Sequence, residues 1–281
     1  MSPSAPAGIS TRRLSKSARA REANSIIKSD LPKLLRYSPK AQAGIENTEL
    51  ITYSEELALP RVRIIQSDTF DAVFNATPED RVGVLNMANA LQPGGGVLHG
   101  DTAQEETLCL RSSLYASIST QSYPLPEFGA IYSPDVLIFQ GSTNTYTNEY
   151  LEQSDWSYVD VISCAAIDTP DTHVGEDGTQ TFTYQEDRDA METKIKLILQ
   201  IARQKRITYL VLGAFGCGAF RNPIHDVAAI FKEAILGSEG VPSAAVGIEE
   251  IIFAIIDNGP NLKIFREVFG EDAAGEEDVS G

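Results

Sequence analysis

The sequence predicts an α/β fold: a mixed, largely parallel sheet with helices on both faces. Two observations carry that expectation. Short apolar, β-branched runs alternate with segments whose apolar residues recur at helical spacing. Two of the runs also end in glycine-rich loops, which is where open α/β sheets bind ligands.

In chain order, strands are expected at Val62–Ile65, Val82–Asn86, Val136–Phe139, Tyr158–Ala165, Ile207–Leu212 and Ile251–Ile256. Each is a run of apolar, often β-branched residues bounded by turn formers. Helical stripes lie between several of them. Leu110, Leu114 and Ile118 recur at i, i+4, i+8. Met191, Ile195, Ile198 and Ala202 recur at i, i+4, i+7, i+11, and Val227, Phe231 and Ile235 at i, i+4, i+8. These stripes read as core. Thr102-x-x-Glu105 has the form of a capping box opening the first helix, and Asn222-Pro223 reads as an N-cap followed by a first helical proline. Residues 168–187, polar and rich in Gly, Asp and Thr, read as a long surface loop and a lid candidate. No internal repeat is evident.

Length and composition bound the rest. The chain has 281 residues, 42% hydrophobic and 22% charged, which are globular values. No apolar run is long enough to span a bilayer, and the N-terminus lacks a secretory apolar region. The expected location is therefore intracellular, nuclear or cytoplasmic. Cys109, Cys164 and Cys217 are widely spaced, show no metal-ligand pattern and fit a reducing compartment. The net charge is −16; residues 1–40 hold nine Lys/Arg against two Asp/Glu, so the remainder carries −23. Such a body offers no electrostatic surface for direct nucleic-acid binding. The chain is expected to comprise a flexible basic arm at 1–14, one domain with an N-terminal helical extension at 15–270, and a disordered acidic tail at 271–281.

Chemistry concentrates in two loops. The first, Gly94-Gly95-Gly96, follows the second expected strand, and seven residues later come Gln104, Glu105 and Glu106. Glycines allow close backbone approach to a ligand, and the carboxylates supply a group able to protonate a glycosidic oxygen. The second, Gly213 to Pro223, follows the expected strand at 207–212. Its glycines can turn several N–H groups toward one phosphate, and the helix after it adds a partial positive charge.

The string GGG-x7-QEE and the loop GAFGCGAFRNP resemble the microbial-type poly(ADP-ribose) glycohydrolases of the macrodomain superfamily. The resemblance implies a macrodomain-like fold and hydrolysis of the ribose–ribose O-glycosidic bond in poly(ADP-ribose), releasing ADP-ribose. It makes Glu106 the catalytic acid and gives Glu105 the ribose hydroxyls of the scissile unit. It places Asn89 at the distal ribose, Gly94, Gly95 and Gly96 against the diphosphate and that ribose, and Gln104 among the substrate-binding residues. Gly216, Cys217, Gly218, Ala219 and Phe220 would wrap the diphosphate. Read by itself, Cys217 is a small packing residue. No metal or organic cofactor is implied. The expected partners are poly(ADP-ribose) or an ADP-ribosylated protein, with ADP-ribose as product and no membrane. A reader that binds ADP-ribose without turnover, and a hydrolase of mono-ADP-ribose linkages, remain as alternatives. His99 is not expected to be catalytic, and Asp168 receives no role.

Overall fold

The computed structural model describes Arg36 and residues 59–270, apart from 120, 122, 142–150, 257 and 258. By internal contacts the chain divides at Glu55/Glu56. The expected arm, helical extension and acidic tail lie outside the described residues.

Six strands form the main sheet: β1 (Arg61–Ile65), β2 (Val82–Met87), β3 (Ala130–Ile138), β4 (Ser157–Cys164), β7 (Tyr209–Leu212) and β8 (Glu250–Ala254). Their order is β1-β8-β7-β2-β4-β3, and only the edge strand β3 runs antiparallel. Strand residues alternate between two cores. Leu85, Ile162, Leu210, Leu212 and Phe253 face one side; Val84, Val161, Tyr209, Val211 and Ile252 face the other. Buried runs of this kind need helices on both faces.

The first face is covered by α4 (Gln185–Gln204), α5 (Ile224–Leu236) and α6 (Pro260–Phe269). The stripes at Met191, Ile195, Ile198, Ala202 and at Val227, Phe231, Ile235 are fully buried there. Phe253 sits among Phe231, Phe265 and Phe269 at centroid distances of 5.1, 5.1 and 5.2 Å. The second face carries α1 (Thr69–Val73), α2 (Gln104–Arg111) and α3 (Leu114–Ile118).

Two expectations about elements change. The stripe Leu110, Leu114, Ile118 is not one helix, and Leu110 is exposed. The chain breaks at Ser112–Ser113, where Ser112 bridges to Ile138 and Ser113 N–H donates to the Leu137 carbonyl at 2.9 Å. Pairing with the edge strand outcompetes helix continuation there. Residues 168–187 are not an unstructured loop. They contain the hairpin β5 (Thr172–Val174) and β6 (Gln180–Phe182) and the start of α4, and the hairpin is tied to α5 by Phe182 N–H donating to Asp226 Oδ2 at 2.7 Å. Turn residues obscured its short, polar strands.

Candidate active site

Both glycine-rich loops leave the carboxyl ends of adjacent parallel strands, β2 and β7, so the fold brings them to one edge of the sheet. The β2 loop leads to α2, whose first residues are Gln104, Glu105 and Glu106.

Gln104 joins helix to sheet. The ladder between β2 and β7 stops at Val84. Beyond it, the Gln104 Oε1 accepts from Met87 N–H at 2.9 Å, and Nε2 donates to the Leu85 carbonyl at 2.7 Å and to Thr69 Oγ1 at 3.3 Å. One side-chain amide thus replaces the missing strand residue. Its donor and acceptor are occupied by protein, so Gln104 positions the carboxylates after it.

Glu105 is 3% exposed. Its Oε2 accepts from Asn89 N–H at 2.7 Å; its Oε1 accepts from Asn86 Nδ2 at 3.2 Å and Gly94 N–H at 3.3 Å. The expected capping box is therefore absent: Ala103 is the N-cap, with no side-chain bond, and Thr102 is exposed. The strand–loop donors capture the carboxylate that a capping box would have turned back on its own helix. Burial pushes the Glu105 carboxyl up to about 7, against the pull of the Asn89 and Asn86 donors and with a further push from Glu106.

Glu106 is also buried. Its Oε1 accepts from Gly96 N–H at 2.8 Å, while its Oε2 meets no hydrogen-bonding partner among the described residues. Gly95 sets how closely the loop can approach. Its φ is +54°, and a Cβ there would lie 2.4 Å from Glu106 Oε1, so only glycine fits. Asn89 shapes the turn before the glycines, its Oδ1 accepting from Leu91 N–H at 2.8 Å and Gln92 N–H at 3.2 Å. That leaves Nδ2 as its remaining donor.

The β7 loop is stitched to the segment following β4. Asn222 Nδ2 donates to the carbonyls of Ile167 at 2.7 Å, Gly216 at 3.0 Å and Phe220 at 3.4 Å, and Thr169 N–H donates to the Phe220 carbonyl at 2.9 Å. With its side chain committed there, Asn222 does not cap the helix. Pro223 is the N-cap and α5 begins at Ile224, one residue later than the sequence suggested. No side chain caps α5, so its first-turn N–H groups lack helix partners. Gly218 and Ala219 are exposed, and Gly216, Cys217 and Phe220 are half-buried. A Cβ on Gly218 would project into open space, whereas one on Gly216 (φ +74°) would lie 2.5 Å from Ala166 Cβ. Cys217 packs against the core, and burial pushes its thiol up to about 12. His99 and Asp168 are exposed.

Three contributions were missed in the sequence. Asn86 is fully buried and holds Glu105 and Ser163 Oγ; the signal was a lone amide closing an apolar strand. Tyr115 packs where a Cβ on Gly94 would sit. Arg111, 1% exposed, ends α2 in ion pairs with Asp68 Oδ1 and, at 2.8 Å, Asp71 Oδ1. Among the described residues no group of His, Cys, Asp and Glu is arranged to hold a metal, and no helix is long and apolar enough to cross a membrane.

Comparison with known proteins agrees with this geometry. Residues 28–141 match the model of the microbial-type PARG catalytic domain. No curated protein matches the chain significantly. Among solved structures, poly(ADP-ribose) glycohydrolase from Deinococcus radiodurans in complex with ADP-ribose is 28% identical, with a TM-score of 0.59 over 73% of this chain and 82% of that one. The enzyme from Thermomonospora curvata bound to the inhibitor ADP-HPD is 29% identical, with a TM-score of 0.58 over 75% of this chain and 78% of that one. With both glycine-rich loops at the carboxyl edge of one six-stranded sheet, the chain is similar in fold and in its matched segment to the microbial-type poly(ADP-ribose) glycohydrolases.

Proposed function

We propose that this chain hydrolyses the ribose–ribose O-glycosidic bonds of poly(ADP-ribose) and releases ADP-ribose, with Glu106 as the general acid. The observation that carries the assignment is the asymmetry of the Glu106 carboxyl: Gly96 N–H fixes one oxygen, and the other is buried without a partner among the described residues. A carboxyl held at one oxygen is oriented to give its proton from the other. That proton goes to the departing ribose oxygen as oxocarbenium character develops on the anomeric carbon, and water completes the cleavage.

Glu105 is held by three N–H donors, so its oxygens occupy fixed positions suited to ribose hydroxyls. The loop from Gly216 to Phe220 and the uncapped start of α5 offer backbone N–H groups to the diphosphate. Anchoring the diphosphate orients the acetal against Glu106. The substrate is therefore held locally, by backbone dipoles, in a body whose net charge would repel it.

Glu106→Gln tests the assignment. The amide keeps the size and the Gly96 contact but has no acidic proton. Turnover of the polymer should fall by about 10²–10⁴-fold, the usual contribution of a general acid, while calorimetry shows unchanged ADP-ribose affinity. Turnover near wild type would remove Glu106 from the role.

A further inference from the structure

A cleft with arginine and glutamine side chains in its wall lies at the opposite edge of the sheet. It has a volume of about 560 Å³ and is lined by Gln200, Arg203, Gln204, Arg206, Thr208 and Val246, among others. These residues come from the end of α4 and the amino-terminal approaches to β7 and β8, whereas the site carboxylates sit beyond the carboxyl end of β2. A six-residue strand rises about 20 Å, which sets the scale of the separation.

Arg203 and Arg206 are exposed, and neither forms an ion pair among the described residues. Gln200 and Gln204 are one helical turn apart and add amide donors to the same wall. Carboxylate residues bonded to the lining residue Thr208 include Asp80, engaged with Thr208 Oγ1 at 3.2 Å and Thr77 N–H at 2.7 Å, and the exposed Glu249, whose N–H donates to the Thr208 carbonyl at 2.8 Å. Two guanidinium groups without an ion-pair partner among the described residues thus meet at one cleft of a chain whose net charge is −16.

The backbone at Arg206 makes the side chain removable at no structural cost. α4 ends in a Schellman turn: Arg206 N–H donates to the Arg203 carbonyl at 3.0 Å and Ile207 N–H to the Ala202 carbonyl at 2.9 Å. Arg206 occupies the left-handed position of that turn, with φ +57°, where glycine is the residue of lowest strain. Glycine is the less strained residue at this position, so Arg206→Gly removes the guanidinium without straining the turn.

We propose that this cleft is a second anion site, which binds a diphosphate of the same poly(ADP-ribose) chain whose end occupies the active site. The proposal rests on the polymer-hydrolase reading above. Guanidinium pairs match phosphate oxygens in a bidentate fashion, and a tether far from the chemistry would favour long polymers over short ones.

The test uses full-length protein: wild type, Arg206→Gly, and Arg203→Gln combined with Arg206→Gly. KM and kcat are measured on short oligomers and on long polymer, with melting temperature alongside. Wild type should show a KM for long polymer at least about fivefold below that for short oligomers. Arg206→Gly should melt at or above the wild-type temperature yet lose most of that preference, and the double variant should lose it all with kcat on short oligomers unchanged. The slope of log affinity for long polymer against log salt should fall by about one per arginine removed. Titration with free ADP-ribose separates the sources of the diphosphate. One equivalent bound by both wild type and double variant supports a site needing polymer. A second equivalent, lost in the double variant, supports a diphosphate site that free nucleotide also fills. Unchanged preference for long polymer in a folded double variant overturns the proposal. Absence of turnover by wild type on short oligomers would instead overturn the hydrolase reading.

Discussion

Glu105 links the stability of this protein to pH, and Glu105→Gln isolates that link. Burial lifts the carboxyl from 4.5 to about 7, so the folded protein binds its proton more tightly than the unfolded chain does. The sign follows from linkage. The stabilisation is complete below about pH 4.5 and is lost as pH rises through about 7, because above that the fold must hold an ionised carboxylate out of water. A shift of this size, at 1.36 kcal/mol per unit, amounts to about 3 kcal/mol between the two limits. The Gln variant has nothing to titrate at this position. It also turns an NH2 group toward one or more of the three N–H donors that now meet the carboxylate, which shifts its stability by a constant amount. The informative quantity is thus the wild-type-minus-variant difference in unfolding free energy, taken from urea titrations between about pH 4.5 and about pH 8. It should fall by about 3 kcal/mol across that range, with other titrating groups cancelling. A flat difference would refute the reasoning. It would mean that the N–H donors outweigh burial and that Glu105 ionises as readily in the fold as in the open chain.

Other perturbations separate binding from folding. Gly218→Val places its side chain in open space, so ADP-ribose affinity measured by calorimetry should drop by about tenfold or more (1.4 kcal/mol per factor of ten) with little change in melting temperature. Gly216→Val meets Ala166 and Asn222 at a left-handed φ and should instead fail to fold or melt well below wild type. Gln104→Leu leaves Leu85 C=O and Met87 N–H without their partners. Chemical denaturation should show a loss of about 2 kcal/mol or more, with kcat falling because the carboxylates move with α2. An unchanged denaturation midpoint would assign Gln104 to ligand contact instead.

The fold was legible where periodicity was strong. The stripes of α4 and α5 and five of the six sheet strands follow from apolar spacing, because burial on both faces leaves little freedom in what those positions hold; of β3 only the end from Val136 was expected, since its first half, Ala130–Pro134, precedes a bulge and lies on the edge of the sheet. Legibility failed where local hydrogen bonds compete. Glu105 has the spacing of a capping box, yet Asn89 and Gly94 N–H groups win its carboxylate, since they belong to a loop that must itself be satisfied when buried. Asn222 has the position of an N-cap, but three carbonyls take its amide first. Ser112 interrupts an apolar stripe by pairing with β3, a partner more than twenty residues away in sequence. The two glycine-rich loops stand out in the sequence by their glycine and carboxylate content, and the fold brings them to one edge of the sheet. The roles of Gln104 and Asn86 do not appear there, because an amide reads the same whether it meets ligand or backbone.

The helix that carries both glutamates is fastened at each end like a short beam. At one end Gln104 grips the rim of β2; at the other Arg111 locks to Asp68, which also caps α1 through Phe70 N–H at 2.9 Å. From Glu106 to Arg111 is only about 8 Å of helix axis, so slack at the far support is felt at the carboxylates. A random mutagenesis screen for lost turnover should therefore return Asp68 and Arg111 alongside the glutamates. Those hits would mark a displaced lever rather than a missing contact, and they would be rescued by replacements that restore the support without restoring the charge.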